Sequence, residues 1–62
     1  MKTGEKVIIP QGIPFVGGKS AIVIKIEDNS FVGKVATVQT SDGEVYFDKE
    51  YQFLPADSIF TN

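Results

Sequence analysis

Four segments of the chain are rich in apolar, mostly β-branched residues, and the later ones place them at every second position, the pattern expected of strands. These segments are residues 5–9, 19–27, 33–40 and 44–48. In the second segment, Ile22, Ile24 and Ile26 fall at every second position, and we expect this isoleucine face to point into the core. The pattern predicts four strands, and the apolar pair Ile59 and Phe60 predicts a short fifth strand.

Turn-forming residues separate the predicted strands. Residues 28–30 (Asp-Asn-Ser) predict a turn, because Asx side chains bond their own backbone. Asp42 and Gly43, between two strand patterns, predict a tight hairpin. Pro55 at the start of residues 55–58 predicts one turn of 3-10 helix. No internal repeat or linker divides the chain, so residues 1–62 are predicted to form a single domain.

The composition favours an all-β fold. Seven Val, seven Ile and four Thr make up 18 of the 62 residues, and branching at Cβ suits a pleated strand better than a helix. A chain of this length buries only about 60% of its unfolded surface. Closure into a small barrel, or association into a dimer, would compensate for the small core. We therefore expect a five-stranded barrel that is a monomer or a small homo-oligomer.

Missing residue types exclude several kinds of chemistry. The chain contains no Cys, His, Trp or Arg, which rules out disulfides, Cys/His metal sites and nucleophilic catalysis by Cys or by a Ser–His pair. We expect a protein that is not an enzyme and that binds no cofactor or metal. The longest purely apolar run, residues 21–24, is too short to span a membrane. A cytoplasmic protein without membrane contact is expected.

The order of strands and the lengths of the loops, from Gly4 to Phe60, resemble the Src-homology-type small β-barrel. A narrower resemblance lies within residues 4–26, where Gly4, Gly12, the Gly17-Gly18-Lys19 run and the apolar run after it are similar to the KOW motif. That motif is a strand–loop–strand unit of ribosomal proteins and transcription elongation factors. The resemblance implies a strongly bent barrel and, as one alternative, an RNA- or DNA-binding accessory protein of transcription or translation.

The charged residues bear on that alternative. Lys6, Lys19, Lys25 and Lys34 would contact phosphate if the protein bound nucleic acid. Six Lys against eight Asp and Glu leave a net charge of −2, whereas nucleic-acid-binding domains usually carry a clustered positive surface. Nucleic acid is therefore a possible partner that the acidic balance disfavours.

The loop between the first two predicted strands is unusually apolar. Ile13, Phe15 and Val16 lie among Gly and Pro within residues 12–18. Large apolar residues in such a loop either fold back to plug the barrel or face a partner protein. Both interpretations stay open at this point.

Aromatic and acidic residues concentrate in the second half of the chain. Glu44, Tyr46 and Asp48 share one face of the fourth strand, and Tyr51 follows shortly after. We expect Phe47 in the core together with Phe53 or Phe60, and the two tyrosines near the surface. The face around Tyr46 is interpreted as either a solvated surface or a binding patch.

These observations predict a non-enzymatic binding module or regulator that docks a protein partner. The predicted contact residues are Ile13, Phe15, Val16, Glu44, Tyr46, Asp48 and Tyr51. The small size is typical of accessory factors, including viral proteins that act on a host protein. A structural subunit of a larger complex is a further alternative.

Overall fold

The computed structural model describes residues 1–56 and forms one five-stranded antiparallel sheet in the order β4-β3-β2-β1-β5. The all-β prediction is confirmed, and the first four strands lie where the sequence pattern placed them. The elements are β1 (Lys6–Ile8), β2 (Ser20–Asn29), β3 (Gly33–Thr40), β4 (Val45–Lys49), a 3-10 helix (Glu50–Gln52) and β5 (Leu54–Pro55).

A strand is found at Leu54–Pro55, where none is predicted and where Pro55 is expected to begin a 3-10 turn. Leu54–Pro55 pairs with β1, whereas the predicted strand at residues 59–60 lies outside the described residues. Ala56 has 3-10 conformation, and residues 57–58 of the predicted 3-10 turn also lie outside the described part. The strand order places β4 and β5 at opposite edges of the sheet. Since no pairing joins these two edges within residues 1–56, the sheet is open there and closure into a barrel stays a prediction.

The core lies on one face of the sheet, which we call the inner face. The loop after β1 and the segment after the 3-10 helix cover this face, because each contributes buried residues to the core. The buried cluster consists of Val7, Ile9, Val16, Ala21, Val23, Ala36, Val38 and Phe53. Its residues are mostly Val and Ala, so the buried side chains fill a small volume.

A β-bulge in β2 decides which of its residues enter the core. Val23 pairs with Val38 and Lys25 pairs with Thr37, so Ile24 is the extra residue. Ahead of the bulge, Ala21 and Val23 are buried, while Ile22 and Ile24 are 41% and 47% exposed. Beyond it, Ile26 packs against the core. The expectation that all three isoleucines point inward is therefore wrong for Ile22 and Ile24, because one extra residue reverses the alternation.

The orientation of β4 is also opposite to the one expected. Tyr46 pairs with Val38 of β3. Cross-strand partners share a face, and Val38 is fully buried, so Tyr46 lies on the inner face. Phe47 consequently points outward and is 67% exposed, which corrects its predicted place in the core. Phe53 is buried as predicted, while Phe60 lies outside the described residues.

Candidate functional site

The side of the sheet opposite the core carries large apolar side chains, and we call it the outer face. Ile22 and Ile24 of β2 and Val45 and Phe47 of β4 are all exposed there. Between them lies β3, whose outward residues Val35, Thr37 and Gln39 separate the two apolar strands. Single exposed apolar residues are ordinary, but two pairs of them on one sheet face, on either side of β3, indicate a candidate contact surface.

The register of the strands arranges the outer face in three rows. Each row contains one residue of β2, its partner on β3 and that residue's partner on β4. The rows are Ile22, Gln39 and Val45; Lys25, Thr37 and Phe47; and Glu27, Val35 and Lys49. The first row has an apolar residue on each flanking strand. The second row has Phe47 on β4 and Lys25 on β2, with Ile24 of the bulge next to Lys25. The third row ends in charges of opposite sign.

Two shallow grooves lie across the outer face. One, of about 460 Å³, is lined by Ile22, Ile24 and Gln39 together with residues at the sheet margin. The other, of about 390 Å³, is lined by Phe47, Val35 and Glu27 together with residues at the turn between β2 and β3. Both grooves are open to solvent rather than enclosed. Shallow grooves of this kind can receive the side chains of a protein surface but do not enclose a small molecule.

Charged side chains border the apolar residues. The Lys25 ammonium lies 3.4 Å from a Glu27 carboxylate oxygen, and both side chains are well exposed. On the other side, the Lys49 Nζ atom lies 6.0 Å from the centre of the Tyr51 ring. Exposed apolar side chains with charged and polar neighbours are also found on protein–protein contact surfaces.

The loop of residues 12–18 divides its three apolar residues between core and solvent. Val16 is buried, and Ile13 packs against the core, so these two plug the sheet. Phe15 is 94% exposed and has φ of +71°. The Val16 amide donates a 2.8 Å hydrogen bond to the Pro14 carbonyl. This bond closes a γ-turn centred on Phe15, whose ring points outward. The left-handed φ of Phe15 is unfavourable for a residue with a Cβ.

Tyr46 and Asp48 share one face of β4, as predicted, but this face is the inner one. Tyr46 lies on the inner face, where its ring meets Phe53 edge-on at 6.0 Å between centroids. Its hydroxyl donates a 2.7 Å hydrogen bond to Asp48. This hydrogen bond to a carboxylate, together with burial, raises the pKa of Tyr46 to about 12. Of the predicted set, Phe15, Glu44 and Tyr51 are exposed, Ile13, Tyr46 and Asp48 are half-buried, and Val16 is buried.

Three of the four predicted phosphate-binding lysines lie beside acidic residues. Lys19 donates a 2.8 Å hydrogen bond to Asp42, and Lys25 lies beside Glu27. Lys34 is the cross-strand partner of Asp28. Lys6 lies apart, at the margin of the larger groove. Neutralised lysines release few counterions from nucleic acid, so their arrangement favours a protein partner over a phosphate backbone.

The Lys19–Asp42 contact joins the hairpin between β3 and β4 to the start of β2. Asp42 also accepts a hydrogen bond from the hydroxyl of Thr40, which is buried. These two hydrogen bonds, the one from Lys19 foremost, lower the pKa of the Asp42 carboxyl from 3.8 to about 2. The hairpin predicted from Asp42 and Gly43 is present, and Gly43 adopts φ of +90°, which glycine supplies without steric cost.

Within residues 1–56, no group of three or more acidic side chains is placed to hold a metal ion. None of the helical segments in the same range is long and apolar enough to cross a membrane. Comparison with known proteins gives no match, whether to a family model, to a curated protein or to a solved structure. The resemblance to the Src-homology-type barrel and the KOW motif therefore stays a prediction.

Sequence reasoning missed the outer face as a contact surface. The sequence pattern predicts Phe47 in the core, whereas Phe47 and Val45 are both exposed on the outer face. The sequence signal for the orientation of β4 is that Tyr46 and Asp48 lie on the same face of this strand and can hydrogen-bond each other. Tyr46 satisfies its hydroxyl within its own strand through Asp48, and a tyrosine with a local partner can be buried without loss.

Proposed function

We propose that the protein is a non-enzymatic binding module that docks a protein partner through the outer face of its sheet. The observation that carries the proposal is the row arrangement of exposed Ile22, Ile24, Val45 and Phe47 on the side opposite the core. Burial of apolar surface stabilises association by about 25 cal/mol per Å² before the entropic cost of docking. Phe47, the most exposed aromatic of this face, is the expected energetic centre.

The border of the outer face supports the same proposal. Lys25, Glu27 and Lys49 provide both signs of charge around the apolar centre, which gives a partner orientation and register more than affinity. Phe15 is a separate exposed aromatic on the loop before β2. We therefore assign docking to the outer face and treat Phe15 as an independent contact.

The test compares two exposed phenylalanines. Phe47 lies on the outer face, whereas Phe31 lies in the β2–β3 turn and is 94% exposed. The full chain, its Phe47→Ser variant and its Phe31→Ser variant are used as bait in lysate of the source cells, and bound proteins are quantified by mass spectrometry. We expect Phe47→Ser to lower capture of the specific partner at least about tenfold, as truncation of a central aromatic does, and Phe31→Ser to leave it unchanged.

Equal capture by all three baits would place docking elsewhere and overturn the assignment to the outer face. A partner that remains bound throughout purification, with an insoluble free chain, would identify a constitutive subunit rather than a free module. Far-ultraviolet circular dichroism of each bait confirms that the fold is retained, because both side chains are exposed and neither supports the core.

A further inference from the structure

The outer face is complementary to itself. Strands β2 and β4 flank β3 on either side, each about 4.8 Å away. When two copies pack face to face about a two-fold axis that runs along β3, the axis places β2 of one copy over β4 of the other. Each row of one copy then faces the same row of the other copy in reverse order. The β2 residue of a row therefore lies over the β4 residue of the same row in the other copy.

The apolar rows match under this operation. Ile22 of one copy lies over Val45 of the other, because both are aligned with Gln39. Phe47 lies over Lys25, which like Phe47 is aligned with Thr37, and next to the bulge residue Ile24. The aliphatic stem and ammonium of a lysine are favourable neighbours for an aromatic ring.

The charged row matches as well. Glu27 and Lys49 are the two partners of Val35 on opposite sides of β3. The two-fold axis therefore sets Glu27 of each copy against Lys49 of the other and forms two equivalent ion pairs. On the axis itself, Val35, Thr37 and Gln39 meet their own copies, and the hydroxyl and amide groups can each both donate and accept hydrogen bonds.

We infer that the partner that covers the outer face is a second copy of this chain, packed face to face as a two-fold β-sandwich. This inference rests on the proposed function and identifies the partner that the proposed function requires. Two sheets that pack this way keep their strands within about 30° of each other. The same two-fold axis pairs apolar residues with apolar or lysine side chains and pairs opposite charges with each other. An isologous contact requires a surface that is complementary to itself in this way.

The size of the face sets the expected strength. Three strands about 4.8 Å apart, over the five residues of β4, span roughly 14 by 17 Å. This is smaller than the roughly 800 Å² that each partner contributes to a standard stable interface. We therefore expect a dimer that dissociates with a Kd in the roughly micromolar to millimolar range.

The first measurement is sedimentation velocity of the full chain at increasing concentration, up to roughly 1 mM at low salt. The expected result is a shift from monomer to dimer, which Phe47→Ser abolishes and Phe31→Ser leaves intact. A chain that stays monomeric throughout overturns the inference. A dimer that Phe47→Ser does not weaken uses another surface and overturns it as well.

Charge reversal gives a second test that does not depend on the apolar centre. Lys49→Glu and Glu27→Lys each turn both ion pairs into repulsive pairs, and we expect each to weaken the dimer at least about tenfold. A one-to-one mixture of the two variants restores opposite charges at both contacts. The expected result is a heterodimer in native mass spectrometry with wild-type affinity, and its absence contradicts the two-fold arrangement.

The two proposals fail differently. If the chain stays monomeric but Phe47→Ser still loses a specific protein from the source lysate, the second copy is the wrong partner and the docking function stands. If Phe47→Ser changes neither self-association nor capture, the outer face is not a docking surface and both proposals fall.

Discussion

Phe15 and Val16 are neighbours in the loop before β2, yet their side chains lie in opposite environments. Val16 is 6% exposed and belongs to the core, while Phe15 is 94% exposed and has left-handed φ. The backbone turn at Phe15 allows Val16 to point inward. The loop is thus held by Val16 and Ile13, and the Phe15 ring contributes no packing to it.

We predict opposite effects of substitution at these two positions. Val16→Ala should lower the free energy of unfolding by roughly 1–3 kcal/mol, because it leaves a cavity in the core. Phe15→Gly should stay within about 1 kcal/mol of wild type, since relief of the left-handed φ offsets the added flexibility of the unfolded chain. Urea denaturation followed by circular dichroism measures both values. A loss for Phe15→Gly as large as that for Val16→Ala would contradict the exposed position of the ring.

Asp42 gives a prediction about pH. Its pKa is lowered to about 2 in the folded chain, chiefly by the hydrogen bond from Lys19. A lowered carboxyl pKa favours folding above the ordinary value of 3.8, and the contribution is lost as the pH falls from about 4 to about 2. Lys19→Met should therefore move the pKa back toward 3.8, as read from the carboxyl ¹³C shift.

Lys25→Met is the matched control for the Asp42 titration. Lys25 lies beside Glu27 and is not among the groups that act on Asp42. Its removal should leave the Asp42 pKa unchanged. Equal shifts in the two variants would mean that net charge, rather than the Lys19 contact, sets the titration.

At the level of elements, the bulge in β2 determines which residues of this strand face outward. With Ile24 as the extra residue, Val23 pairs with Val38 and Ile26 pairs with Ala36, and both pairs point inward. Without the bulge, a strict alternation from Val23 would place Lys25 on the inner face. Val23 and Ile26 are three residues apart, a spacing that would place them on opposite faces of a regular strand. The bulge allows both side chains to point inward.

Deletion of Ile24 should accordingly leave the strand pairing intact. Lys25 would remain opposite Thr37, and Ile26 would remain opposite Ala36, as in the wild type. Cross-strand nuclear Overhauser contacts of Val23 with Val38, and of Ile26 with Ala36, should persist. Deletion of Thr37 is the contrasting variant, because it moves Ala36 and Val38 to opposite faces and should destabilise the fold strongly. Loss of both pairs on deletion of Ile24 would contradict the assigned bulge.

At the level of the whole molecule, a single sheet buries only one of its faces. The loop after β1 and the segment after the 3-10 helix cover the inner face, and they leave β2, β3 and β4 exposed on the other side. Small chains compensate for a small core by staples, ligands or association. A second copy on the outer face would turn one covered sheet into a sandwich with apolar surface buried on both sides of each sheet.

Much of the fold could be predicted from the sequence because strands and turns depend on neighbouring residues. The apolar pattern located β1 to β4, and Asp42 with Gly43 located the hairpin. The direction in which a strand faces depends instead on distant partners. For Phe47, both faces of β4 carry an aromatic residue, so local pattern could not choose between Tyr46 and Phe47.

The sequence by itself determined the all-β class, the approximate positions of β1 to β4 and the absence of thiol and imidazole chemistry, since these follow from residue types and local spacing. Only the tertiary structure decided which residues line the core and which form the outer face. The pairing of Tyr46 with buried Val38, and the extra residue at Ile24, fixed that choice. Cross-strand register joins residues far apart in the chain, and a shift of one residue exchanges the two faces.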